Sequence, residues 1–450
     1  MQIFFQIIFS FFCYNILTDK ICVNHHFFMK RTILFLPFFF TALLSFSQIQ
    51  VKGTYTTYKE AVGLDNIYIF SKIDNSSEIH YTSKNEASVV KWYSFLNGMK
   101  TELTNVSTLS ATETYIDPAN NMGYIVSVDG VETSRFWVFD YSQYLPGINS
   151  MLASDGEIPC ENIVLNLAGN VPEFSYQNTG GGIFKIDRFF EIIYNTLEWD
   201  KDKKDWKTIE KTENVILPRP VISVPTPFTN TVFTVKGDQF ASLLGLVEQT
   251  VVTPEYETKA VKCNITSITS IREAKNENER PDNETKLEGS APLDIQFYSN
   301  PTPNVNSYFW TIYKNNEKIV ARSEKDHIYT FSEAGNYDIK LIVSNGICTD
   351  SSSVKVVVST SSIFAPSIFT PNNDEFNDEF RVAYRSIVEF SCTVYNRWGR
   401  IVYSWTDPAK GWDGKINGKN AAEGTYFYII NAKGSDDKVY KLKGHINLLR

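Results

Sequence analysis

From Gln48 to Arg450 the apolar residues come in short runs, broken every few positions by clusters of Asn, Asp, Ser, Gly and Pro. No stretch holds a 3.6-residue period for long. The one exception is a short candidate helix over 239–246, with Asp238 as its N-cap. Segments such as 66–70 (NIYIF), 88–92 (SVVKW), 123–128 (GYIVSV) and 135–141 (RFWVFDY) read as strands. So do 162–167, 184–187, 189–196, 215–217 and 232–235, with 200–204 as the charged tip of a hairpin between Trp199 and Trp206. Strands at this spacing, with no βαβ alternation, predict an all-β chain of tandem immunoglobulin-like β-sandwiches.

The N-terminus follows a different rule. Met29-Lys30-Arg31 is a short basic region, an apolar stretch runs through Leu34, Phe35, Leu36, Phe38 and Leu43, and Ser45 and Ser47 supply small residues for cleavage before Gln48. Residues 29–47 are therefore expected to be a signal peptide, and 1–28 an extension from a mis-assigned start. The expected order is then a β-sandwich of unknown function over 48–150, an immunoglobulin-like sandwich over 151–268, a polar linker over 269–289, a third sandwich over 290–359 and a fourth over 363–450. With 43 Lys and Arg against 51 Asp and Glu, the net charge is -8. That balance argues against a nucleic-acid partner, which needs clustered cations.

Two segments carry family resemblances. Ala291-Pro292-Leu293, Tyr308-Phe309-Trp310, His327-Ile328-Tyr329-Thr330-Phe331 and Ala334-Gly335-Asn336-Tyr337 resemble a PKD-type domain, with Trp310 as the buried inter-sheet aromatic. The second resemblance spans 363–450. Its residues are Thr370-Pro371-Asn372, Asn377-Asp378, Asn396-Arg397-Trp398-Gly399, Trp412-Asp413-Gly414, Gly424, Tyr426 and Gly444. This ordered set resembles the gliding motility-associated C-terminal domain, the type B sorting domain of type IX secretion. Asn373-Asp374-Glu375-Phe376 stands where that family usually has Gly-Asp-Gly-Ile. The resemblance implies export to the cell surface or medium by the type IX machinery, together with a gliding-type outer-membrane partner.

Chemistry is sparse in the sequence. There is no HExxH, GxSxG, GxGxxG or phosphate loop, and His80 is the one histidine past residue 47 that neither resemblance explains. No catalytic residue is assigned. Cys160 and Cys263, near the two ends of the second sandwich, are expected to form a disulfide, with Cys348 and Cys392 unpaired. Asn372, Asp374, Asn377 and Asp378 form an oxygen-rich cluster that suits either calcium or a network of Asx turns. Trp199, Trp206 and Tyr144 suit either a carbohydrate platform or packing across strands. The expected role is adhesive, structural or ligand-binding, toward a surface glycan or protein. The alternatives are a secreted hydrolase or glycan-binding protein acting through 48–268, and an accessory of the secretion or gliding machinery.

Overall fold

The runs at 67–70 and 136–139 are apolar at every position, and every one of these residues is buried. A strand with one wet face alternates; an unbroken apolar run needs cover on both faces. In the computed structural model, which describes residues 48–450, Asn66–Phe70 and Val131–Asp140 pair in parallel inside a six-stranded sheet. The expected extension and signal peptide lie outside the described residues. One face of that sheet packs on a four-stranded sheet around Tyr81, Trp92, Phe136 and Val138. The other face presents Ile67, Ile69, Trp137 and Phe139 to side chains from further along the chain: Phe174, Tyr176, Ile186 and Phe240. At about 1.5–3 kcal/mol for each large apolar side chain buried, this shared core ties the first sandwich firmly to the second.

The second sandwich sets a three-stranded sheet (Gly147–Asp155, Asn162–Asn170, Val221–Pro225) against a four-stranded one. The latter is built on the long hairpin Arg188–Asp200 and Asp205–Leu217. Ile163, Leu165, Phe190, Ile192 and Val235 fill the space between them. The short helix Gln239–Leu243 forms as its cap suggests, with the Asp238 carboxylate accepting from the Ala241 N–H. Trp199 and Trp206 face each other across the hairpin with ring centroids 5.2 Å apart, and the Trp206 indole donates to the Asn300 carbonyl at 3.0 Å. Tyr144 packs on Phe139 and Phe174. These three aromatics are packing residues, not an open platform.

The third sandwich closes on Trp310, which is fully buried among Phe297, Phe331 and Leu341. Two expectations need correction at its ends. The disulfide joins Cys160 to Cys348, not to Cys263. Cys160 lies in the loop between the strands Gly147–Asp155 and Asn162–Asn170, and Cys348 in the turn between Gly335–Ser344 and Thr349–Val358. Cys263 belongs to the third sandwich rather than to the end of the second. Its thiol points into that core, burial pushes it up to about 12, and its N–H donates to the Asp350 carboxylate at 2.9 Å. Cys392 is likewise buried and free. Alkylating a denatured, unreduced chain of residues 48–450 should therefore label Cys263 and Cys392 only. Label on Cys160 or Cys348 by peptide mass spectrometry would refute the pairing.

The second correction concerns 269–289, whose polarity suggested a free linker. Thr266–Thr269 already pairs with Leu293–Tyr298, so the stretch is a loop inside the third sandwich. Three of its polar residues bond the next domain. The Asn276 amide donates to the carbonyls of Val382 and Pro408 at 2.7 and 2.8 Å, the Asn278 N–H donates to Tyr384 O at 2.7 Å, and Glu279 pairs with Arg385. Ser290 and Ser386 add a buried reciprocal contact, in which the Ser386 N–H donates to the Ser290 hydroxyl and the Ala291 N–H to the Ser386 hydroxyl.

The fourth sandwich is built on a five-stranded sheet in the order Ile368–Phe369, Val439–Leu448, Gly424–Gly434, Ile387–Tyr395, Ile401–Trp405. Its inner face brings Cys392, Val394, Tyr426, Ile430 and Ile446 onto Phe369, Phe380 and Trp412.

Candidate functional site

The motif residues of the C-terminal domain fall into two groups once their surroundings are known. The loop from Thr370 to Asp378 is held by its own side chains. Asp378 accepts from the N–H groups of Asn373 and Glu375 at 2.7 and 2.9 Å, and Asp374 accepts from Phe376 N–H at 2.9 Å. Asn372 accepts from Asp374 N–H at 3.1 Å, and the Asn377 carbonyl accepts from Thr370 N–H. The Asn372 amide also donates to Asp374, holding that carboxyl below the usual carboxylate range. This is a network of Asx turns. Asn372, Asp374, Asn377 and Asp378 spend these oxygens on N–H donors within the loop, and no group of three His, Cys, Asp or Glu among the described residues is placed to hold a metal ion.

The loop also explains the family's glycines. Asn373 and Glu375 stand at φ 67 and 71, where the family pattern has Gly. Asn tolerates the left-handed region, whereas a Glu there costs about 1–2 kcal/mol. Glu375→Gly should thus raise the stability of this domain by about 1 kcal/mol, allowing for the greater freedom of Gly in the unfolded chain. An unchanged or lower denaturation midpoint would count against the strained loop.

Trp412-Asp413-Gly414 packs beneath this loop. Trp412 is fully buried and donates from its indole to Lys415 O at 2.8 Å, while Asp413 accepts from Lys415 N–H. Gly414 has φ 72, and a Cβ there would lie 3.0 Å from Pro371 Cγ. Gly444 faces Tyr428 on the neighbouring strand, so that a Cβ would meet the Tyr428 hydroxyl at 2.5 Å. Tyr426 is buried and donates to Ala422 O at 2.8 Å. Gly424 opens its strand at φ 133. These residues build the fold.

Asn396-Arg397-Trp398-Gly399 is different. The Asn396 side-chain carbonyl accepts from the N–H groups of Trp398 and Arg400 at 3.1 and 3.0 Å, and its backbone carbonyl from Gly399 N–H. That fixes a tight turn with Gly399 at φ 77. Trp398, however, is 75% exposed and touches Arg397, whose guanidinium lies 4.3 Å from the ring centroid. The tip is pinned by the Asn396 hydrogen bonds, yet its largest side chain is left in water.

The sheet beside the tip has an outer face that the motif reading missed. Cross-strand register aligns Ile401, Tyr395, Phe427 and His445 in one row and Ser404, Thr393, Ile429 and Lys443 in the next. The unbroken apolar run in 426–430 (YFYII) carried this signal, since a strand with no polar alternation places apolar residues on both faces.

Elsewhere, His80 is buried with its ring nitrogens 2.8 and 2.7 Å from Glu113 and Glu78, and stacks on Tyr115. It cross-links neighbouring strands of the first sandwich. His327 is buried beside Glu324, and His445 is exposed. An open cleft of about 310 Å³ in the second sandwich is lined by Asp155, Glu255, Tyr256 and Glu257, with Asp155 accepting from the Tyr256 hydroxyl at 2.7 Å.

Residues 152–253 match the fibronectin type III domain, and residues 363–448 match the CHU_C type IX secretion signal domain. No curated protein matches the chain. Solved structures similar to it include a tetra-tandem repeat from the extending region of a large adhesion protein, at 10% identity, covering 85% of this chain and 98% of that one, with a TM-score of 0.21. The fibronectin(III)-like modules of Clostridium thermocellum CbhA share 14% identity over 40% of this chain and 93% of theirs, with a TM-score of 0.16. Dimeric latent PorU from Porphyromonas gingivalis shares 9% identity over 72% of this chain and 36% of its own, with a TM-score of 0.15.

Proposed function

We propose that the chain, which matches the type IX secretion signal domain over 363–448 and the fibronectin type III domain over 152–253, is a non-enzymatic surface protein exported as a type IX cargo. In this reading a signal peptide over 29–47 takes it to the periplasm. The C-terminal domain then delivers it through the outer membrane with the help of a gliding-type partner protein. A PKD-like third sandwich spaces residues 48–268 from that domain, and 48–268 engage a surface glycan or protein ligand in adhesion.

One observation supports the adhesive reading above others: every junction between successive sandwiches is tied. The first and second share a core, the second and third share the Cys160–Cys348 disulfide, and the third and fourth share the strap at Asn276, Asn278 and Glu279. A protein that holds a ligand against a pull needs each link to resist it, whereas an enzyme presented on a tether does not.

Fractionating the native strain with the full chain and with a chain lacking 363–450 tests the reading. The full chain should appear at the surface or in the medium and the truncated one in the periplasm. Cells with the surface-displayed chain should attach to their substratum better than cells in which 48–268 is deleted. Equal attachment would overturn the adhesive role, and equal localisation the sorting role.

A further inference from the structure

We infer that the Trp398 tip and the outer face of the C-terminal five-stranded sheet form one docking surface, and that its occupant is an acidic strand edge on a protein partner. The inference rests on the sorting role proposed for residues 363–450 and says which part of that domain is recognised.

The first argument is what these side chains do not do. Trp398, Ile401, Phe427 and Ile429 are 75%, 59%, 48% and 44% exposed, and none of them belongs to the domain's core. Single exposed apolar residues are ordinary on any protein. Here register makes them contiguous. Ile401, Tyr395 and Phe427 follow one another across three strands, Ile429 stands two residues along from Phe427, and neighbouring strands are about 4.8 Å apart. Contiguity is what separates an apolar patch able to serve as an interaction site from scattered exposed residues. Trp398 adds a large, rigid anchor at its edge, stacked by Arg397, and Trp and Arg are the residue types that dominate binding energy at interfaces.

The second argument is charge. On a chain of net charge -8, this face and its tip present Arg397, Arg400, Lys441 and Lys443. All four are exposed and none is in an ion pair. Glu389 is the one carboxylate in the register rows of that face, and it lies opposite Lys433. Unpaired cations around an apolar centre complement an acidic partner and speed its encounter.

The third argument is the backbone. The strand Ile401–Trp405 pairs with Ile387–Tyr395 on one side and has no ladder on the other. Its free N–H and C=O groups can accept an added strand, a recurring way for a sheet edge to take a protein partner. A lipid surface offers no such ladder.

The test uses the full chain in its native strain. Trp398→Ala and the pair Lys441→Glu/Lys443→Glu change exposed residues, so their melting curves should match the parent. Each should cut export about tenfold, with the chain accumulating in the periplasm. Lys441→Arg/Lys443→Arg should export normally. If both altered chains are exported at the parental level while deletion of 363–450 blocks export, the docking surface is wrong and the sorting role stands. If the deletion is exported too, both fail. Two measurements on purified protein check the occupant. Lysine-dependent binding to phosphatidylglycerol vesicles would replace the protein partner with a lipid one. Sedimentation showing a dimer that Lys441→Glu/Lys443→Glu abolishes would replace it with a second copy. Neither binding nor dimerisation is expected.

Discussion

Replacing Asp238 with alanine should lower the melting temperature of the coupled first and second sandwiches by on the order of 10 °C, the largest effect expected from any single charge in the chain. Asp238 and Arg188 are both fully buried, and the Arg188 Nε–H donates to the Asp238 carboxylate. The same carboxylate accepts from the Tyr141 hydroxyl at 2.7 Å and from the Ala241 N–H at 3.2 Å. Tyr141 belongs to the first sandwich, so one side chain binds a cation, caps a helix and joins two domains. Burial and the Asp238 carboxylate both push the Tyr141 phenol above its ordinary value, and it stays a neutral donor. Arg188 has little else to turn to. Its Nη1 donates to Pro172 O, its face lies 5.0 Å from the Phe174 ring, and its Nη2 has no partner. Alanine at 238 would strand the guanidinium in this interior, at about 3–5 kcal/mol. Asp238→Asn keeps a cap acceptor and should cost less. The double change Arg188→Met/Asp238→Ala should recover much of the loss, because removing both charges leaves neither unpaired. A melt of Asp238→Ala within about 2 °C of the parent would show that the pair does not hold the junction.

The two partners of that pair show where sequence reasoning stops. Asp238 was readable as a helix cap because its helper, the Ala241 N–H, is three residues away. Its countercharge is 50 residues away on another strand, and nothing local marks it. The hairpin at 200–204 was readable for the same reason as the cap: turn residues and alternation are local. Cys160 found its partner 188 residues on because two turns of different domains meet, which no spacing rule encodes. The strap at 269–289 misled by composition, since polar side chains that bond another domain look the same as polar side chains in water. The runs at 67–70 and 136–139 read simply as strands of one sandwich, which leaves the signal in their unbroken apolarity unused. Apolar at every position meant cover on both faces, and hence a second layer packed on the first sandwich. In the candidate site, the motif located the residues but not their roles. Trp398 and Trp412 are equally prominent in it, and one is 75% exposed while the other is fully buried.

That contrast makes the second large effect. Trp412→Ala should destabilise the C-terminal domain by about 3–5 kcal/mol, enough to unfold much of it near physiological temperature. The indole lies 4.9 Å from the Tyr426 ring and 5.4 Å from the Phe369 ring, centroid to centroid. It thereby plugs the gap between the inner face of the sheet and the loop that precedes it. Its N–H is satisfied by Lys415 O, and its backbone makes a reciprocal bridge with Phe380, with N–H to carbonyl distances of 2.9 and 3.1 Å. Removing the ring opens a cavity between Phe369, Tyr426 and the loop, and the loss should sit at the upper end of what an equal volume cut from the core would cost. Both tryptophan variants should be exported poorly, but for opposite physical reasons. Trp412→Ala should lose the cooperative melt of its domain and become sensitive to protease in the periplasm. Trp398→Ala should melt as the parent does and stay protease-resistant there. If Trp412→Ala kept the parental melt, the indole would not be the keystone of this sandwich. If Trp398→Ala lost it, the exposed tip would be a folding element, and the docking surface would lose its anchor.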